Sequence, residues 1–244
     1  MTDQSVSIVI PAFNEEKLIG RTLEAIHGSI PAFSEAGWET EIIVCDNNSS
    51  DKTTEIATNL GAQVVFESEN QISRARNKGA TAAKGRWLLF IDADSVPTKE
   101  LFAATLKSMQ DTRLAGGGAP VEMDIDHAFG RKLAKLWNRI SRFFDWAAGS
   151  YIFIERKIFE ELGGFSTELF ASEEIELCKR IKKHLKNTEK RFRVLAGPPL
   201  VSSGRKLSLY SRSEMISFFF KTIFKAGRPL KSKKDCLVWY DGRR

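Results

Sequence analysis

The chain has 244 residues and a formal net charge of +6, with 42% hydrophobic and 28% charged residues. That length suits one sizeable α/β domain, or one domain with a short appendage, and the composition excludes a disordered or fibrous chain. The positive excess is modest and lies largely after Lys179, so charge by itself does not choose among phosphates, nucleic acid and an anionic membrane surface.

Residues 1–5 are polar, carry no signal-peptide pattern and lead into a β-prone apolar run at 6–10, a strand buried on both faces that Pro11 ends. Asn14 is placed to cap a helix whose apolar positions Leu18, Ile19, Leu23 and Ile26 recur at helical spacing. Residues 41–45 read as a second strand, 46–51 as a polar turn, and a helix follows to Leu60. A short strand at 63–66, a small-residue helix at 72–83 and a buried strand at 87–91 come next. The last of these runs into Asp92-Ala93-Asp94, and Pro97 opens a helix through Met109. After Ala115 the pattern loosens into a Gly-rich turn, a basic aromatic helix, a strand at 149–154, a helix at 172–184 and a strand at 192–195. Four strand–helix alternations predict a mostly parallel central sheet with helices on both faces, in a domain spanning 1–206. The basic aromatic stretch 207–244 reads as an appendage.

No apolar run approaches the ~20 residues of a membrane span. Cys45, Cys178 and Cys236 are odd in number and widely spaced, against a disulfide framework or zinc cluster and for a reducing compartment. A cytoplasmic chain is expected, with peripheral attachment to the inner face of a membrane left open. GxxxxGK[ST], GxGxxG, HExxH and GxSxG are all missing, which counts against a P-loop NTPase, a dinucleotide oxidoreductase, a zinc hydrolase and a serine hydrolase.

Ligands bind at the carboxyl ends of strands in such sheets, and Asn14, Asp46 and Asp92 to Asp94 all fall there. Two carboxylates at i, i+2 with small Ala93 between them leave room for a hard cation and a phosphate; the alternative is a polar turn capping the helix near Pro97. The buried strand before the pair aims it at the binding edge. Asp46 can accept hydrogen bonds from a base or ribose, while Ser50 or Asp51 caps the next helix. Glu173 and Glu174 suit the helix dipole, yet a carboxylate there beside a metal could serve as a general base. Glu176 and Arg180, at i, i+4, form a structural pair.

Together these segments resemble the inverting family 2 glycosyltransferases: SIVIPAFNEE at 7–16, EIIVCDNNSSDKT at 41–53, ARNKG at 75–79, FIDAD at 90–94, GGF at 163–165 and SEEIELCKR at 172–180. The resemblance covers about residues 5–206. It implies a GT-A fold, a UDP- or GDP-sugar donor and a divalent cation, Mn²⁺ or Mg²⁺. The backbone at Pro11 and Ala12, with Glu15 and Asp46, would hold the nucleoside, and Arg76 would approach the nucleotide or its phosphates. Asp92, with Ala93 beside it, would face the ribose side, and Asp94 would bind the metal. The family usually has Glu-Asp where this chain has Glu173-Glu174; Glu174 matches the base position, and Glu173 is its rival. Arg205 or Lys206 would neutralise the leaving diphosphate, unless the loop is simply a solvated basic one. A QxxRW motif is missing, which favours a single-addition enzyme over a polymerase.

The expected reaction is one in-line displacement with inversion, from a nucleotide-diphosphate sugar to an acceptor hydroxyl; nucleic acid is not an expected partner. A catalytically silent nucleotide-sugar binding module and a sugar-phosphate nucleotidyltransferase are the alternatives. Residues 129–146 interleave Trp, Phe and Leu with Lys and Arg, and the aromatic-rich run 215–224 is followed by Lys225, Arg228, Lys231, Lys233 and Lys234. They either pack on the sheet as core or meet an anionic membrane presenting a lipid-linked acceptor.

Overall fold

The computed structural model describes residues 2–124, 128–205, 228–232 and 236. Strand β1 (Ser5–Ala12) leads to helix α1 (Ile19–Ser29), the single turn α2 (Pro31–Ser34), strand β2 (Glu39–Asp46), helix α3 (Thr53–Asn59), strand β3 (Gln63–Phe66), helix α4 (Ile72–Ala82) and strand β4 (Trp87–Ile91). The chain continues through β5 (Ser95–Val96), α5 (Lys99–Gln110), β6 (Leu114–Gly118), β7 (Val121–Asp124) and α6 (Ala128–Phe144). It then forms β8 (Tyr151–Glu155), α7 (Arg156–Glu161), α8 (Glu173–Leu185), β9 (Arg191–Val194) and β10 (Leu200–Ser203).

Seven strands form the main sheet in the order β3-β2-β1-β4-β8-β6-β9. Its neighbours pair in parallel except β8, which is antiparallel to both β4 and β6. β1 alternates between two cores. Ile8 and Ile10 join Leu23, Phe33 and Phe102 on one side, and Val9 joins Phe90, Phe165 and Leu177 on the other. Helices therefore cover both faces, and parallel strands buried on both sides are nearly all apolar for that reason. A second sheet, β5-β10-β7, sits where β4 has ended.

Several local expectations change. Pro11 does not end β1: the strand pairs with β2 through Ala12 opposite Asp46, while its pairing with β4 stops at Val9 opposite Phe90. Asn14 caps no helix. It has a positive φ of 52° and its Oδ1 accepts from the Ser50 amide at 2.8 Å, and α1 starts only at Ile19. The glycines after Ala115 lie in strand β6, not in a turn. A Cβ on Gly117 would lie 2.1 Å from the Arg193 carbonyl oxygen and 2.7 Å from the Phe153 ring, so packing between crowded strands demands glycine there. Thr98 caps α5, its side chain accepting from the Leu101 amide. The expected appendage at 207–244, with Lys206, the aromatic run at 215–224 and Lys225, Lys233 and Lys234, lies outside the described residues except for 228–232 and 236. Of these, Leu230 accepts from the Phe170 amide at 2.7 Å and Lys231 pairs with Glu168 at 2.7 Å.

Candidate active site

The loops after β1 and β2 are sewn together. The Ser49 hydroxyl accepts from the Asn14 amide at 2.9 Å, the Thr53 hydroxyl from the Glu15 amide at 2.8 Å, and the Ala12 carbonyl from the Asn47 amide at 2.8 Å. This brings Pro11, Ala12, Glu15 and Asp46 to one edge, all four buried. Asp46 accepts weakly from the Ser49 amide, at 3.3 Å. Glu15 receives a fork from Arg205, whose Nη2 donates at 2.8 and 3.0 Å. Two residues 190 positions apart, both expected at the donor, thus meet each other.

At the end of β4 the acidic pair splits. The small sheet carries Asp94: its carbonyl accepts from the Ser203 amide at 3.0 Å, and Ala93, buried, accepts from the Thr22 hydroxyl at 2.8 Å. Asp94 lines a small pocket with Asp124, Ser202, Ser203 and Arg21. Sequence reasoning missed Asp124 and Arg21; a lone carboxylate ending a short strand was the available signal. The Asp94 and Asp124 carboxylates are hard oxygen donors of the kind Mg²⁺ or Mn²⁺ takes, and Arg21 pairs with Asp124 at 3.2 Å. Among the described residues no group of three or more His, Cys, Asp and Glu could hold a metal by itself.

Asp92 belongs to another group, built around Arg76 on α4. The guanidinium, 2% exposed, donates to Glu173 at 2.6 Å, to Asp92 at 2.9 Å and to the Gly149 carbonyl at 2.8 Å, and stands 5.2 Å over the Phe165 ring. Burial opposes its charge, but the neighbouring carboxylates of Asp92, Glu173 and Glu174 hold its pKa above the ordinary value. Arg76 was expected to approach the nucleotide; its observed hydrogen bonds go to protein carboxylates and a carbonyl.

The ARNKG, GGF and SEE segments are thereby one device. Gly79 lets α4 sit on β1, since a Cβ there would be 2.5 Å from Val9 Cγ1. Asn77 exchanges two 2.9 Å hydrogen bonds with the Phe165 backbone, fixing the ring under Arg76. Gly164, at φ +74°, is needed because a Cβ would meet Asn77 Oδ1 at 2.6 Å. Arg180 donates to the Leu162 and Gly164 carbonyls at 2.7 Å each while gripping Glu176, so the Glu176–Arg180 pair holds the turn. Helix α8 then starts from Ser172 in a left-handed conformation (φ 62°), presenting Glu173 and Glu174 in its first turn.

The two glutamates differ. Glu173 is buried on Arg76. Glu174 is half-buried, and burial with the adjacent Glu173 carboxylate pushes its pKa up to about 8, against the pull of Arg76. A carboxyl tuned near neutrality has the proton affinity of a general base.

A mostly parallel sheet with an acidic turn at its carboxyl edge, closed by a small second sheet, defines the fold as GT-A. The chain belongs to Glycosyl transferase family 2, whose pattern matches residues 7–167. Among curated relatives, glycosyltransferase AglE of Haloferax volcanii is 25% identical over 189 residues, covering 72% of this chain and 60% of that protein. This chain therefore spans less than two thirds of that relative. Two solved structures share the fold at 20% identity. One is S. aureus TarS 1-349 with UDP-GlcNAc, with a TM-score of 0.63 and 82% of this chain and 59% of that one covered. The other is the mannosyltransferase PcManGT of Pyrobaculum calidifontis with GDP-Man and Mn²⁺, with a TM-score of 0.61 and 81% and 56% covered.

Proposed function

We propose that this chain is an inverting glycosyltransferase that moves a sugar from a UDP- or GDP-sugar to an acceptor hydroxyl. The observation that carries the reading is the placement of Arg76. Its charge is satisfied by Asp92 in one acidic pair and by Glu173 in the other. The remaining member of each pair takes the chemical role: Asp94 as cation ligand, helped by Asp124, and Glu174 as base. Pro11, Ala12, Glu15 and Asp46 hold the nucleoside, and Asp92 with Ala93 faces the ribose. Arg205, and Lys206 beyond it, supply positive charge for the diphosphate. A Mn²⁺ or Mg²⁺ ion bound here supplies Lewis-acid stabilisation of the leaving diphosphate. Glu174 takes the acceptor proton as the hydroxyl oxygen attacks the anomeric carbon from the face opposite the leaving group. The sugar–phosphate bond breaks with inversion.

The acceptor hydroxyl belongs to a lipid-linked molecule at the cytoplasmic face of a membrane. The basic aromatic segments support this, and no helix among the described residues is long and apolar enough to cross a membrane. The deciding assay incubates the chain with UDP- and GDP-sugars and Mn²⁺ and follows nucleoside diphosphate release. Release that stops with EDTA and with Glu174→Gln supports the reading. Pyrophosphate formed from a nucleoside triphosphate and a sugar phosphate would make it a nucleotidyltransferase. Mn²⁺-dependent nucleotide binding without turnover would make it a binding module.

A further inference from the structure

We infer that the outward face of α6 is a docking surface for an anionic lipid membrane. Asn138 of α6 exchanges two 2.9 Å hydrogen bonds with the Val121 backbone, buried Ser141 donates at 2.6 Å to the Trp146 carbonyl just past the helix, and Trp137 and Ile140 are half-buried. The solvent side of α6 carries Leu136, 53% exposed, and Phe143, 81% exposed, two turns apart on one stripe. Exposed Lys135, Arg139 and Arg142 flank them. Apolar positions of a surface helix normally face the core, and contiguous exposed ones mark an interaction site.

Charge complementarity names the occupant. Between Asp126 and Asp145 the chain has no acidic residue. Phe144, 45% exposed, stacks on Trp146 at 4.7 Å, and Lys179 and Lys182 of α8 hold their ammonium groups 5.4 and 5.9 Å from that ring. An exposed Leu and Phe flanked by Lys135, Arg139 and Arg142 is the pattern of a helix lying in an anionic lipid interface. Each base adds attraction to acidic headgroups within the screening length.

The surface also runs into the candidate active site. Trp146 leads to Gly149, whose carbonyl holds Arg76, and α8 begins with Glu173 and Glu174. Docking through α6 presents Glu174 to a hydroxyl carried by lipid. That use rests on the proposed transfer reaction; the docking does not.

The test is flotation of the full chain, without donor, on phosphatidylcholine vesicles with and without phosphatidylglycerol. The expected result is binding to the anionic vesicles that high salt reverses. The pairs Leu136→Ser with Phe143→Ser, and Arg139→Glu with Arg142→Glu, should each lower the partition coefficient about tenfold or more, with unchanged melting. Three results overturn the inference. One is a chain that stays soluble with anionic vesicles at low salt. Another is wild-type binding by both α6 variants while Lys231→Glu, Lys233→Glu and Lys234→Glu abolishes it. The third is a lipid-independent dimer that Phe143→Ser dissolves, which would make a second copy the occupant. Donor hydrolysis measured without vesicles reads the transfer chemistry separately: its failure beside successful flotation removes the enzyme reading and leaves the docking surface standing.

Discussion

Arg76→Met keeps the apolar length of the side chain and removes its charge. The guanidinium is 2% exposed and makes charge-assisted bonds of 2.6 Å to Glu173 and 2.9 Å to Asp92. Removing one partner of a buried ion pair costs about 3–5 kcal/mol, mainly because the remaining charge is left uncompensated. Two carboxylates are stranded here. The Asp92 side chain is 22% exposed and can rehydrate, whereas that of Glu173, at 4%, cannot, so the loss is set by Glu173 and should be about 3 kcal/mol. For a domain of this size each kcal/mol lowers Tm by about 2–4 °C, so the variant should melt about 6–12 °C below wild type. Thermal denaturation followed by circular dichroism measures this. Adding Glu173→Gln to Arg76→Met neutralises the stranded charge and should recover part of the loss, although Glu173→Gln in the wild-type background destabilises. A single variant melting within about 2 °C of wild type, or a double variant whose losses simply add, would refute the claim that Arg76 compensates buried negative charge.

Glu174→Gln should lower kcat by about two to four orders of magnitude with donor affinity little changed, read by single-substrate kinetics and calorimetric nucleotide binding; a crippled Glu173→Gln beside an active Glu174→Gln would transfer the base role to Glu173. With its pKa pushed up to about 8, Glu174 is mostly protonated at neutral pH, so kcat/KM should climb with pH and level off above about 8. The same shift has a stability sign. The folded state binds this proton more tightly than the unfolded chain, so the contribution is full below the ordinary carboxylate range of about 4.3 and is lost as pH rises through about 8. Glu174→Gln should remove that part of the dependence of Tm on pH. Asp94→Ala should abolish transfer and weaken donor binding in Mn²⁺; undiminished wild-type activity in EDTA would remove the metal from the scheme. Gly164→Ala puts a methyl 2.6 Å from Asn77 Oδ1 at φ +74° and should cost about 1–3 kcal/mol in a denaturant melt, an unchanged midpoint counting against the Asn77–Phe165 clamp.

The sequence by itself determined the alternation of buried strands and helices in the first half, because two-sided burial forces apolar runs such as residues 87–91, and these coincide with β4. It also identified which polar clusters stand at strand ends, since Asp46 and Asp92 directly follow or end such runs. The direction of β8 was not legible, because an apolar run of five looks the same parallel or antiparallel. The glycines of β6 were misread as a turn because the reason for them, the Phe153 ring and Arg193 carbonyl pressed against the strand, lies in partners 36 and more residues away. Which member of each acidic pair is tied up in an ion pair was likewise not legible in residue chemistry or spacing. Asp92 and Asp94 are equivalent carboxylates on paper, as are Glu173 and Glu174, and one buried guanidinium separates each pair. Only tertiary structure decides that, because the strength of a charge interaction depends on distance and burial, and both are set by packing α4 and α8 against the sheet rather than by spacing along the chain.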